Sequence, residues 1–119
     1  MSAALLLAIG GLTSVGVYLI TARSLSRVIL GFALLGHAAV LGLLAAGGAP
    51  AAAPIAAGGG TTDPSTISNP LPQALALTAI VISFGLTLFL LALAVRQQSL
   101  SGDDLVEDDL EDRRVADAP

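Results

Sequence analysis

The chain contains no cysteine, no tryptophan and no lysine. Without cysteine it can form no disulfide, hold no metal through thiolate and present no thiol nucleophile. Charge is scarce too: 12% of the 119 residues are charged, against roughly 25% in an ordinary soluble domain. No Asp or Glu occurs before Asp63, and none between Asp63 and Asp103. A water-soluble fold is therefore a poor fit to this composition. No catalytic set, cofactor-binding motif or metal-ligand cluster emerges, and no nucleic-acid partner is expected.

What charge there is lies in blocks. Residues 99–119 hold eight acids (Asp103, Asp104, Glu107, Asp108, Asp109, Glu111, Asp112 and Asp117) against Arg113 and Arg114, a net of −6. The rest of the chain is net +2, from Arg23, Arg27 and Arg96 against Asp63. Between these blocks, 55% of the whole sequence is hydrophobic. Crossing a bilayer core of about 30 Å takes roughly 20 apolar residues at about 1.5 Å each. Three stretches reach that length, at residues 3–22, 28–46 and 71–95. Lipid leaves no backbone polar group unpaired, and the sequence has no repeated ten-residue alternation of a barrel, so the spans are read as helices. The fold class expected is all-α, an integral membrane protein with three transmembrane helices. Residues 1–98 form the membrane domain, and 99–119 an acidic tail, read as solvated or as a short helix from Asp103 to Arg114.

The first apolar run is too long for a signal-peptide core, and no cationic side chain precedes it, so it is expected to be retained. Arg23 and Arg27 flank the first turn and Arg96 closes the third span. The positive-inside rule then puts the N-terminus outside and the tail in the cytoplasm. Residues 47–69, rich in Ala, Gly, Pro, Ser and Thr, form an outer loop whose Pro and Gly content argues against a stable helix, although residues 51–57 could lie on a neighbouring protein surface. The third span opens with Asn69-Pro70-Leu71-Pro72-Gln73, where Asn69 is an N-cap and both prolines fall in the first turn, where a missing N–H costs little.

Ionisable groups inside a membrane usually mark function, and these spans have almost none. Tyr18 reads as an interface anchor. His37 falls near the middle of the second span; it could relay protons, but a neutral imidazole bonded to a backbone carbonyl or a neighbouring helix is the favoured reading, since no second titratable group is near. Small residues are the other signal, because they let helix backbones approach. Ala38, Gly42 and Ala46 share a face of the second helix, with Gly31 and Gly36 as further openings. On the third helix, at about 100° per residue, Ala79, Ser83 and Thr87 form one face and Ala74, Thr78 and Gly85 a neighbouring one. One face would pack within the chain and the other on a partner.

The run from Asn69 to Gly85, NPLPQALALTAIVISFG, together with Tyr18–Arg27 and Leu34–Ala38, resembles the C subunit of the Mrp-type multisubunit Na+/H+ antiporter. The resemblance spans residues 10–100. It implies a bacterial plasma-membrane protein, crossing several times, packed between large antiporter-like subunits and helping to complete an ion and proton pathway for Na+ and H+. His37, Pro72, Gln73, Thr78, Ser83 and Gly85 are the residues expected at the pathway or a subunit interface. The family is similar in turn to the K subunit of respiratory complex I, the alternative reading, which has a buried glutamate in each of its last two helices. Ala33 and Val81 stand in those places here and His37 replaces an asparagine, so this chain cannot act as an acid relay. It also departs from its own family at Asn69, where an Asp is usual. That removes an outer negative charge but keeps the cap.

Overall fold

The computed structural model describes residues 3–48, 68–106 and 110–118. They form four helices: α1 (Ala3–Ile20), α2 (Leu25–Ala46), α3 (Pro70–Ser101) and the short α4 (Leu110–Ala116). By length and composition α1, α2 and α3 are each able to cross a membrane. At about 1.5 Å per residue they run roughly 27, 33 and 48 Å. This is the all-α, three-span architecture expected from the sequence. The stretch 51–57, read as able to lie on a neighbouring protein surface, lies outside the described residues.

Asn69 begins α3 as expected. Its backbone is extended and its side-chain oxygen accepts from the Leu71 N–H at 3.1 Å, while Pro70 takes the first helical position, where no N–H is needed. At the other end α3 continues past Val95 to Ser101. Its termination is a left-handed glycine: Gly102 has φ 73° and donates its N–H to the Gln98 carbonyl at 2.8 Å, a conformation a side chain would resist. α2 starts at Leu25, earlier than residue 28, because its first turn is completed from far away in sequence. Ser24 makes no side-chain cap of its own. Instead residues 103–106 return from Gly102 and pair with the α1–α2 turn.

That pairing is an isolated antiparallel bridge between Ser24 and Leu105. Leu25 N–H donates to the Asp104 carbonyl at 2.9 Å and Val106 N–H to the Arg23 carbonyl at 2.8 Å. The Asp104 carboxylate accepts from the Ser24 hydroxyl, from the Ser26 hydroxyl at 2.8 Å and from the Ser26 N–H at 3.2 Å. An anion at the start of α2 meets N–H groups that have no partner within the helix. The start of the acidic tail is therefore tied to this turn through Asp104, while Asp103, Leu105 and Val106 stay exposed; a run of acids in the sequence does not show the donors that one of them meets.

α2 is the middle of the bundle. It packs against α1 and against α3, whereas α1 and α3 do not pack against each other. α1 turns Leu5, Ile9, Leu12, Gly16 and Leu19 toward its neighbour, at the three- and four-residue spacing of one helix face. The tightest approach is Gly16 on Gly31. A Cβ on Gly31 would lie 2.7 Å from the Gly16 carbonyl oxygen and 2.9 Å from the Ile20 nitrogen. α3 meets α2 through Ala76, Ala79, Ser83 and Thr87, and a Cβ on Gly36 would sit 3.7 Å from that of Ser83. Beyond this the core is thin: among the described residues, Ile29, Ala38 and Ala76 are the buried hydrophobic ones. Lipid is as apolar as leucine, so helices pair here by close van der Waals fit, and the large outward side chains need no cover from their own chain.

The outward hydroxyls are dealt with locally. Thr13 donates to the Ile9 carbonyl at 2.7 Å, Ser14 to Gly10 at 2.7 Å and Thr78 to Ala74 at 3.0 Å. Each is the back-bond one turn earlier that lets a hydroxyl face hydrocarbon.

Candidate functional site

Because α1 and α3 stand apart over α2, a groove of about 560 Å³ opens between them, lined by Leu12, Ala33, Leu34, Gly36, His37, Val40, Leu41, Ile80, Ser83, Phe84 and Thr87. All of it is hydrocarbon except the His37 imidazole and the hydroxyls of Ser83 and Thr87. No carboxylate among the described residues lines it. His37 is exposed along this groove, and its Nδ1 lies 2.6 Å from the Ala33 carbonyl. A carbonyl only accepts, so Nδ1 carries the hydrogen, which leaves Nε2 as the atom able to face a neighbour. Ala33, where the resemblance to the K subunit of complex I leads one to expect a glutamate, lies one turn before His37 on the same wall. Val81, at the second such place, is 63% exposed on the outer side of α3.

The other residues singled out from the sequence fall in three different environments. Ser83 is half-buried at the α2 contact and bonds its own helix at Ile80. Pro72 closes the far end of the bundle, where a Cβ on Gly47 would be 3.0 Å from its ring, and Gln73 beside it is exposed. Ala74, Thr78 and Gly85 are all exposed, and a Cβ on Gly85 would meet nothing within 4 Å. The structure thus brings His37 and Ser83 to one groove and leaves Thr78 and Gly85 on another face. The two faces of small residues on α3 divide as their spacing suggested. Ala79, Ser83 and Thr87 turn inward, and Ala74, Thr78 and Gly85 turn out.

Two residues central to this arrangement were not singled out from the sequence. Gly16 carries the α1–α2 crossing and differs from Gly10 and Gly11 only in what it touches; its distance from Gly31 along the chain hides the pairing. Asp104 is one of eight tail acids, and its partners lie about eighty positions away. The hydroxyls of Ser24 and then Ser26, with the Ser26 N–H and the charge of Arg27, hold its carboxyl below its ordinary value. A depressed folded value means the contact contributes stability above the unfolded pKa and loses it as pH falls through the folded one. Neutral pH therefore leaves it fastened.

Residues 4–111 match the family model described as NADH-ubiquinone/plastoquinone oxidoreductase chain 4L. Among characterised proteins, the chain is similar to the C1 subunit of the Na+/H+ antiporter of Staphylococcus epidermidis, 47% identical over 98 residues, covering 82% of this chain and 83% of the relative. It is also similar to the C subunit of the Na+/H+ antiporter of Alkalihalophilus pseudofirmus, 51% identical over 87 residues and covering 73% and 75% of the two chains. Its fold matches a chain in the structure of the Mrp complex from Dietzia sp. with a TM-score of 0.77 and 41% identity, over 98% of this chain and 88% of the other. A chain of the membrane-bound sulfane sulfur reductase, an archaeal respiratory membrane complex, matches with a TM-score of 0.75 at 28% identity, over 92% and 98%. Alike in sequence over most of its length and in fold over nearly all of it, the chain belongs to the family of Na+/H+ antiporter C subunits, within the wider family of oxidoreductase chain 4L.

Proposed function

We propose that this chain is a membrane component of a multisubunit Na+/H+ antiporter, acting by packing between larger subunits and helping to complete their ion and proton pathway. The observation that carries the reading is the match, over nearly its whole length, to a chain of the Mrp complex. The composition of the spans agrees with a component and not a complete transporter: three helices with one histidine and no acid cannot themselves supply a charged path through lipid. The lack of a glutamate at Ala33 and Val81 separates it from its complex I counterpart. Deleting the protein from an otherwise intact antiporter should abolish Na+-driven fluorescence quenching in everted vesicles, and restoring it should restore both quenching and the assembled band on a native gel. A complex that assembles and exchanges without it would refute the reading.

In this role the N-terminus faces outward and the tail inward. The support is the arginines, two at the α1–α2 turn and Arg96 near the end of α3, and the bridge that places the tail beside that same turn. Single cysteines in this cysteine-free chain test it. Gly59→Cys should react with an impermeant maleimide added from outside and Ser101→Cys should not; the reverse pattern would invert the topology.

His37 serves as a structural and pathway-lining group, its ring oriented by the Nδ1 hydrogen bond to the Ala33 carbonyl. His37→Gln keeps hydrogen-bonding capacity without titrating near neutrality, and it should leave exchange close to the unsubstituted level. A Gln variant that assembles normally yet loses exchange would establish the relay instead.

A further inference from the structure

We propose that residues 103–106 form a strap that holds the end of α3 to the α1–α2 turn, with Asp104 as its fastening. The geometry of the bundle gives such a device a place to act. α3 contacts α2 alone among the helices, and α1 and α3 stand apart across the groove. The helix packing ties α3 to the α1–α2 hairpin through α2 and not through α1. The strap adds a second tie, with two backbone hydrogen bonds across the Ser24–Leu105 bridge and three that the Asp104 carboxylate accepts, from both serine hydroxyls and the Ser26 N–H.

Two local features let the chain reach this position. Gly102, in the left-handed region at φ 73°, reverses the chain immediately after Ser101. Ser24 is extended, so it can pair as a strand while also standing at the start of α2. Asp104 therefore caps α2 from the opposite end of the sequence. The choice of acid matters: among the described residues Asp103, next to it, bonds within its own segment, its side chain accepting from Leu105 N–H at 3.4 Å. α4, farther along the tail, packs against none of the other helices, so the holding contact is confined to 103–106.

Cross-linking in membranes containing the whole complex tests this without reference to transport. Ser24 and Leu105 form the pair of an antiparallel bridge that lies between, not within, its hydrogen bonds. Such pairs have Cα atoms about 4.5 Å apart, inside the range of roughly 4.4–6.8 Å that a disulfide needs. Ser24→Cys with Leu105→Cys should link rapidly under mild oxidant, with Ser26 still holding Asp104. Adding Asp104→Ala should reduce the linked fraction several-fold, and Asp103→Ala should not. As a comparison, Ser24→Cys with Asp117→Cys places the second thiol beyond α4 and should link slowly. Equal rates for the two cysteine pairs would mean a freely moving tail, and a linked fraction unchanged by Asp104→Ala would mean another fastening; either result overturns the proposal. Yields are taken as a fraction of full-length chain in the membrane, so reduced accumulation of a variant does not obscure the outcome.

Discussion

Substituting Gly31 with alanine should strongly reduce the assembled complex, and substituting it with leucine should eliminate it. The added Cβ would meet the Gly16 carbonyl oxygen at 2.7 Å, the Ile20 nitrogen at 2.9 Å and the Leu19 Cβ at 2.9 Å. Two of these atoms are backbone and the third is fixed to it, so no rotamer change relieves the contact; α1 must move away from α2. Overpacking commonly costs about 1–3 kcal/mol, roughly five- to 150-fold in a pairing equilibrium. With lipid competing equally for the apolar surface, few other contacts compensate. Gly16→Ala should be milder, because the nearest atoms there include the Leu35 side chain at 2.9 and 3.0 Å, which can rotate. Gly42→Ala meets nothing within 4 Å and should be neutral or slightly favourable, since alanine is the better helix former. Native gels of detergent-solubilised membranes read the series. Gly31→Leu assembling as well as Gly42→Leu would show that the α1–α2 crossing is not needed.

A second large effect is expected at Gly85, for a different reason. Nothing among the described residues lies within 4 Å of a Cβ there, so Gly85→Leu should insert and fold normally. If the exposed face of Ala74, Thr78 and Gly85 receives a neighbouring subunit, the leucine displaces that neighbour and the complex is lost. Thr78→Val on the same face keeps the shape. It removes a hydroxyl already bonded to Ala74, so assembly should survive; reduced exchange in that variant would mean the hydroxyl also orders a polar group of the pathway. Normal chain level with absent complex is the signature expected of Gly85→Leu. Should it assemble and exchange normally, this face of α3 points at lipid. Comparing the two glycines distinguishes a fault within the chain, at Gly31, from one between neighbouring proteins, at Gly85.

What could be read from sequence follows the range of the interactions involved. Span length is a one-dimensional property, so an apolar run near twenty residues announces a membrane helix without knowledge of its neighbours. Caps are equally local: Asn69 and its prolines define the start of α3 within a few residues. The inward face of α3 was legible because Ala79, Ser83 and Thr87 repeat at helical spacing. The Gly16–Gly31 crossing was not, since thirteen glycines give no sign of which two meet when helix order around the bundle is unknown. The start of α2 and the fate of the tail were missed together. Both depend on Asp104 reaching Ser24 and Ser26, a contact that no local propensity records. The groove has the same origin, arising from α1 and α3 failing to touch, which is a fact about three helices and not about any one of them.

The hydroxyls of Thr13, Ser14 and Thr78, each turned back onto its own helix, bear on how such a complex is built. Because each of the three is bonded within its own helix, none of them needs a neighbour's acceptor when the chain enters lipid. Synthesis and assembly can then be separate events.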